Sequence, residues 1–414
     1  MDSRKPRIVI LGAGPTGLEA ALYARQLDYP VKVIESSAQV AANVRRWGFV
    51  RLFTPWHRNA SELGLAALKA LGLSPPVAAD VPTGEQLCTD YLEPISHRLG
   101  GSIHLRTQVL GVARSGVLKG EFIGSDHRAN SPFRILFRNQ LGEGEEGAEV
   151  VFDTTGVYGS PVQLGDGGLP ALGESSLRGR IRYHLVDVLG RERENFTAKR
   201  TLVIGSGFSA ATSLVDLSTL AETEPGTEVF WALRSTGPAP FPTYADDPLP
   251  QRVELAERGN RILAQPPAYC RTIPGVSVRA IAAHGDLLQV GFRSIDGGDP
   301  PPDIEVDHII SNCGYRPNTD LFRELQIHQC YATEGPMQLS ASLLQSQGDT
   351  GDCLDQTSAG IDTLMNPEPG YFVLGHKSYG RRSDYLMQVG REQIRDVFRY
   401  LENDPELDLY ASTE

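Results

Sequence analysis

Nowhere in these 414 residues do two cysteines stand two residues apart. The five that occur, Cys88, Cys270, Cys313, Cys330 and Cys353, are scattered. That spacing excludes a Cys-x-x-Cys redox dithiol and the usual zinc half-site. An odd count without a framework suits a reducing compartment rather than a disulfide-stapled fold. Long apolar runs are also missing, and none approaches the roughly 20 residues of a membrane helix. Positive charge is short as well. A net charge of −12 would be repelled by nucleic-acid phosphates. The first strand opens near Arg7, leaving no room for a secretory leader. The expectation is a cytoplasmic protein with neither a nucleic-acid nor a membrane partner. Hydrophobic and charged contents of 40% and 22% are those of ordinary globular domains, and the length is too great for one core.

What the chain does have is two glycine-rich turns, each following an apolar run and opening a helix-like stretch. Gly12-Ala13-Gly14-Pro15-Thr16-Gly17 follows residues 7–11, and Gly205-Ser206-Gly207-Phe208-Ser209-Ala210 follows residues 200–204. In such a turn one glycine makes the bend and the next lets backbone approach a pyrophosphate. A small third residue lets strand and helix pack, and the helix N-terminus faces the anion. After the first turn, Leu18, Ala21, Leu22 and Leu27 recur at helical spacing over 15–27. A strand over 31–34 then ends in Glu35, an acid where ribose hydroxyls require one. After the second turn, the strand 228–233 ends in Arg234, with Ser235 and Thr236 beside it. An arginine among hydroxyls suits a 2′-phosphate, so NADPH rather than NADH is expected there; the alternative is an ordinary surface cation. Two dinucleotides in one chain imply electron transfer between them.

Residues 61–71 and 84–99 read as helices, and 103–155 as short strands, with the charged glycine-rich stretch 142–147 as a solvated hairpin tip. Two apolar strands closing on small residues and a glycine, 150–156 and 307–314, stand on either side of the second turn. The organisation expected is α/β with two Rossmann-like dinucleotide-binding domains. The NADPH domain, 160–305, is inserted into an FAD domain built from 1–159 and 306–414.

Taken in order, these features resemble the two-dinucleotide-binding-domain flavoproteins, which include thioredoxin reductase-like enzymes and class B flavoprotein monooxygenases. The resemblance implies FAD at Gly12, Gly14, Gly17 and Glu35, and a nicotinamide nucleotide at Gly205, Gly207, Ser209, Ala210 and Arg234. Asp153-Thr154-Thr155-Gly156 and Asn312-Cys313-Gly314-Tyr315 resemble the family's paired Ala-Thr-Gly-type segments, making Thr155, Gly156 and Asn312 cofactor contacts. Residues 369–375 resemble the last FAD motif, ending at Gly375, with Met387 at the helix expected to face the flavin. Arg46, Trp47 and Val109 join the implied cofactor contacts. The family places Gly-Asp in the last motif, whereas this chain has Gly375-His376. His376 is then either a hydrogen-bond donor or a catalytic group.

Without a dithiol, the resemblance leans to the monooxygenase branch. It implies FAD and NADPH as cofactors, molecular oxygen, and a small organic substrate oxidised at nitrogen, sulfur or carbon through a C4a-peroxyflavin. The Baeyer–Villiger fingerprint is not intact, since Leu177-Arg178-Gly179 and His184 are misspaced for it. One alternative is an NADPH-dependent reductase passing electrons to a disulfide, quinone or protein. Another is a non-catalytic redox sensor. The family's usual state is a homodimer.

The most unusual local composition is residues 45–59, with four arginines, four large aromatics and a histidine. The corresponding family segment passes beside the isoalloxazine ring. Trp47 and Trp56 are expected to line the flavin pocket, and Arg45, Arg46 or Asn59 to stabilise charge on reduced flavin. Asn59, Arg51 and Trp56 are the catalytic candidates, against a plain packing segment. Residues 325–370 form a long bridge, read either as a substrate cap with Cys330 and Cys353 as a redox pair or as an excursion with unrelated thiols. Asp352, Cys353 and His328 match no metal spacing, and no metal is expected. Residues 377–383 suit the flavin edge, an anionic group or a solvated turn.

Overall fold

A computed structural model describes residues 4–244, 246–345, 354 and 356–411. The chain adopts the expected α/β class. It divides into two compact units, one made of Met1–Ser160 with Arg316–Glu414, the other of Pro161–Tyr315.

In the first unit the strand Ile8–Leu11 is the centre of a five-stranded parallel sheet. Val31–Ile34 and then Ile103–His104 lie on one side of it, and Val150–Asp153 and then Tyr371–Val373 on the other. Ile8, Val9, Ile10 and Leu11 are all fully buried, as a parallel strand covered on both faces requires. The helix Pro15–Gln26 starts with proline, where the missing N–H costs nothing. Ser61 caps the helix Glu62–Ala70, accepting from the Gly64 N–H at 2.8 Å. The expected helix over 84–99 is broken into Gly84–Leu87, a π turn Cys88–Leu92 and Glu93–Leu99. Pro94 has no N–H for the carbonyl four residues back, and the wider turn falls just before it.

A three-stranded antiparallel sheet joins Gln108–Arg114, Phe133–Asn139 and Gly142–Ala148. Residues 142–147, expected as a hairpin tip, are therefore a strand, and the turn lies one step earlier at 140–141. Two of its glutamates meet arginines of the neighbouring strand: Arg138 faces Glu143 at 2.7 Å, and Arg134 reaches Glu145 diagonally at 2.6 Å. Cross-strand ion pairs let a glycine-rich charged stretch hold strand geometry.

The second unit has its own parallel sheet, in the order Cys270–Pro274, Glu228–Leu233, Arg200–Ile204, His308–Ser311, Ile181–Arg182. The strand His308–Ser311 was expected to begin the returning part of the first domain at 306. It pairs instead with Arg200–Ile204, His308 opposite Thr201. A buried apolar run carries no mark of which parallel sheet will take it. Among the described residues no helix is long and apolar enough to cross a membrane.

Candidate dinucleotide sites

Both glycine turns leave the carboxyl end of a buried parallel strand, and in both the glycines divide their work. In the first, Gly12 has φ +98°, and a Cβ there would lie 3.0 Å from the Thr154 carbonyl. A Cβ at Gly17 would lie 2.0 Å from the Gly12 carbonyl and 2.7 Å from Thr154 Oγ1. Around Gly14, by contrast, a Cβ would meet nothing within 4 Å among the described residues. Gly14 is also the N-cap of Pro15–Gln26, and no side-chain cap is found there among those residues. The outer glycines permit packing, and the middle one leaves an uncapped, positively polarised helix end open. Glu35 braces the turn. One carboxylate oxygen accepts from the Ala13 N–H at 2.8 Å, the other from the Ser37 N–H at 2.7 Å.

Thr155 and Gly156 follow the strand Val150–Asp153, and a buried network fixes them. Lys377 Nζ donates to Asp153 Oδ2 at 2.6 Å and to Thr155 Oγ1 at 3.0 Å. Tyr371 donates to the same Asp153 oxygen at 2.9 Å, and the Thr155 hydroxyl donates to the other at 2.7 Å. Burial pulls the Lys377 ammonium below the ordinary lysine value, and the Asp153 carboxylate pushes it back up. The stretch 377–383 is accordingly neither a solvated turn nor a free positive field. Lys377, Ser378 and Tyr379 are buried, Arg381 pairs with Glu334 at 2.9 Å, and Arg382 pairs with Asp384.

Gly375 has φ +71°, and a Cβ there would strike Thr16 Oγ1 at 2.6 Å. His376 Nε2 lies 3.0 Å from the Arg382 carbonyl, which assigns the proton to that nitrogen as donor. Burial lowers its pKa, so the imidazole is neutral at pH 7. It stacks on Tyr385 at 5.4 Å, and Tyr385 shares a 3.1 Å hydrogen bond with Thr16. Met387, half-buried, opens the helix Met387–Glu402. The fold thus gathers Thr16, Gly375, His376 and Tyr385 at one helix end. Lys377 lies in the stretch read as suiting the flavin edge, but its buried pairing with Asp153 has no local signal in the sequence. Val109 is half-buried on its strand and packs with the cluster of Val9, Leu11 and Phe322.

In the second unit, Gly205 has φ +132°, and a Cβ would lie 2.3 Å from the Asn312 carbonyl. Around Gly207 a Cβ meets nothing within 4 Å among the described residues, and Gly207 is the N-cap of Phe208–Thr223. Ala210 is fully buried and Ser209 half-buried in the first turn. Asn312 accepts from Ser213 Oγ at 2.9 Å, which leaves its buried Nδ2 without a partner among the described residues. Arg234 is exposed one residue beyond the strand Glu228–Leu233.

The 45–59 segment is tied mostly to its own unit. Arg45 pairs with Glu85 at 3.1 Å and with Glu93. Trp47 covers Gly84, where a Cβ would lie 2.7 Å from the indole. Arg51 donates to the Val81 carbonyl at 2.6 Å. Trp56 is buried beside Tyr91, ring centres 6.3 Å apart. Both ends of the Asn59 amide bind Thr54, Oδ1 accepting from its hydroxyl at 2.8 Å and Nδ2 donating to its carbonyl at 2.6 Å. Trp56 and Asn59 have the contacts of a packing segment, and Arg46 remains exposed.

Burial raises the thiols of Cys88, Cys270 and Cys313 to about 12, 11 and 11. Cys330 is lowered by the hydroxyl and N–H of Thr333. Cys353, its expected partner, lies outside the described residues. Among the described residues no group of three His, Cys, Asp or Glu is placed to hold a metal.

No protein-family model matches the chain, and no curated protein matches it significantly. Solved structures do. Bacillithiol disulfide reductase from Bacillus cereus aligns over 97% of this chain and 99% of its own, with TM-score 0.68 and 15% identity. An ornithine N-hydroxylase from Kutzneria sp. 744, whose structure carries reduced FAD, NADP⁺ and L-ornithine, aligns over 96% and 99%, with TM-score 0.65 and 14% identity. Thioredoxin reductase from T. acidophilum aligns over 97% and 99%, with TM-score 0.56 and 16% identity. What these likenesses share is architecture: the chain has the fold of the two-dinucleotide-binding-domain flavoproteins.

Proposed function

We propose that this chain is an FAD-dependent oxidoreductase that draws its electrons from NADPH. The observation that carries the proposal is the matched pair of turns. Each jams its first glycine against a facing backbone and leaves the middle one open at an uncapped helix end. Glu35 follows the strand after the first turn directly, and Arg234 the strand after the second. Bound FAD would accept hydride from NADPH and pass the electrons on. In the first unit Glu35 would hold the ribose hydroxyls, and the Gly14 end of the helix would face the pyrophosphate. His376 fits this site, since a neutral imidazole adds no negative charge beside phosphate. In the second unit Asn312 Nδ2 is an unspent donor beside the turn.

Within that class the reading is monooxygenation of a small organic substrate with molecular oxygen. It is supported by the lack of a Cys-x-x-Cys pair and by three thiols too basic to act as thiolates at pH 7. The second reading is disulfide reduction, the activity in the name of the similar bacillithiol disulfide reductase. Rapid mixing of NADPH-reduced enzyme with oxygen separates the two. Flavin reoxidation slowed by bound NADP⁺, with product formed once a substrate is supplied, is the expected result. Peroxide released as fast as the flavin reoxidises, whatever substrate is offered, would overturn it.

Arg234 makes a narrower prediction. Removing a charged hydrogen bond worth about 1.5–3 kcal/mol should raise KM for NADPH by about 10- to 100-fold. In Arg234→Ala the KM for NADH should stay as it was. Equal losses for both nucleotides in steady-state kinetics would make Arg234 a bystander.

A further inference from the structure

Resting on the assignment of NADPH to the second turn, we infer that Trp231 is the residue that aims this turn at the pyrophosphate. Trp231 is fully buried in the strand Glu228–Leu233, opposite Val203 of the neighbouring strand. Its indole Nε1–H donates to the Gly205 carbonyl at 2.9 Å. In a trans peptide the carbonyl and the next N–H point opposite ways. Holding the Gly205 carbonyl toward Trp231 therefore turns the Ser206 N–H away from Trp231.

This bond matters because the other contacts of Gly205, its N–H on the Ala232 carbonyl at 3.1 Å and its α-carbon against the Asn312 carbonyl, hold the residue but not the peptide plane that follows it. Gly205 has φ +132°, a region glycine enters without strain, and glycine tolerates both orientations of the following peptide. A flipped peptide would present a carbonyl, not an N–H, to an incoming anion. Trp231 blocks that state, and its own position is fixed from behind. Its ring lies flat against Phe241, centres 5.5 Å apart and 5° from parallel. The Asn260 side chain grips the Phe241 backbone at both ends, accepting from its N–H at 3.1 Å and donating to its carbonyl at 2.9 Å. Gly259 makes room for the Phe241 ring, since a Cβ there would lie 2.4 Å from it. The helix Pro250–Ala264 thus backs Phe241, Phe241 backs Trp231, and Trp231 holds the turn. Trp231 touches no nucleotide in this scheme; it is a positioning residue.

The test is Trp231→Phe, which keeps an aromatic ring against Phe241 and deletes the N–H. NADP⁺ and adenosine 2′-monophosphate, which lacks the pyrophosphate, are titrated calorimetrically. Loss of one hydrogen bond should weaken NADP⁺ by about tenfold and leave the 2′-monophosphate and FAD affinities unchanged. NADP⁺ affinity within twofold of the parent, or equal weakening of both nucleotides, overturns the role of Trp231. A parent protein that fails to bind NADP⁺ would instead overturn the assignment of the turn. If Trp231→Phe does not fold, 3-benzothienylalanine placed at 231 keeps the indole shape without the N–H, and the same outcomes apply.

Discussion

Lys377→Met should destabilise the first unit by about 3–5 kcal/mol, because it leaves Asp153 charged, buried and without its cation. The side chains of both residues are almost wholly inaccessible, at 1% and 0% exposure. Tyr371 and Thr155 would still donate to the carboxylate, yet neither neutralises it. The loss should extend to flavin binding. Lys377 sits two residues past Gly375, which meets Thr16 of the first turn, and its partner Thr155 adjoins Thr154, which meets Gly12. Denaturant midpoints and flavin retained after gel filtration measure the two effects. The informative control is Asp153→Asn together with Lys377→Met, which removes both charges. Because the single change is costly through the orphaned carboxylate, the double variant should regain more than half of the lost stability. A double variant no better than the sum of its parts would mean that the pair contributes through packing rather than charge.

Gly17→Ala and Gly14→Ala should fail in opposite ways. At Gly17 the added methyl would sit 2.0 Å from the Gly12 carbonyl, a backbone atom that cannot rotate aside. Relief requires shifting the turn or the helix, at a cost of about 1–3 kcal/mol or more, and FAD affinity should fall with the melting temperature. At Gly14 the same methyl enters open space, so the apoprotein should melt as the parent does. There the penalty should appear only when FAD is titrated, as a loss of about tenfold or more, since the methyl occupies the approach of the pyrophosphate. Thermal melts of the apoproteins with FAD fluorescence titrations check both. A destabilised Gly14→Ala, or a Gly14→Ala that binds FAD normally, would remove the middle glycine from the proposed site.

Much of the scaffold was legible from local pattern. The apolar run 7–11, the glycines behind it, the helix over 15–27 and the strand ending at Glu35 each lie within one window. All form close to the expected residues. Local pattern failed where a partner strand or a special turn decided the outcome. Residues 142–147 became a strand because Phe133–Asn139 lay beside them with complementary charges. The helix over 84–99 took in a π turn ahead of Pro94. For the 45–59 segment, composition and the family resemblance suggested chemistry, whereas Trp56 and Asn59 spend their contacts on Tyr91 and Thr54.

The sequence by itself determined that two glycine turns each follow a buried strand and open a helix, and that an acid follows one and an arginine the other. These properties depend on backbone sterics and on residues within a few tens of positions. Only the tertiary structure decided that Asp153 and Lys377, 224 positions apart, neutralise each other beneath the first turn. It also decided that the neutral His376 stacks on Tyr385, that His308–Ser311 joins the second sheet, and that Trp231 holds the Gly205 carbonyl. A buried charge or an indole N–H takes its meaning from the partner that chain folding brings to it, and no local pattern records that partner.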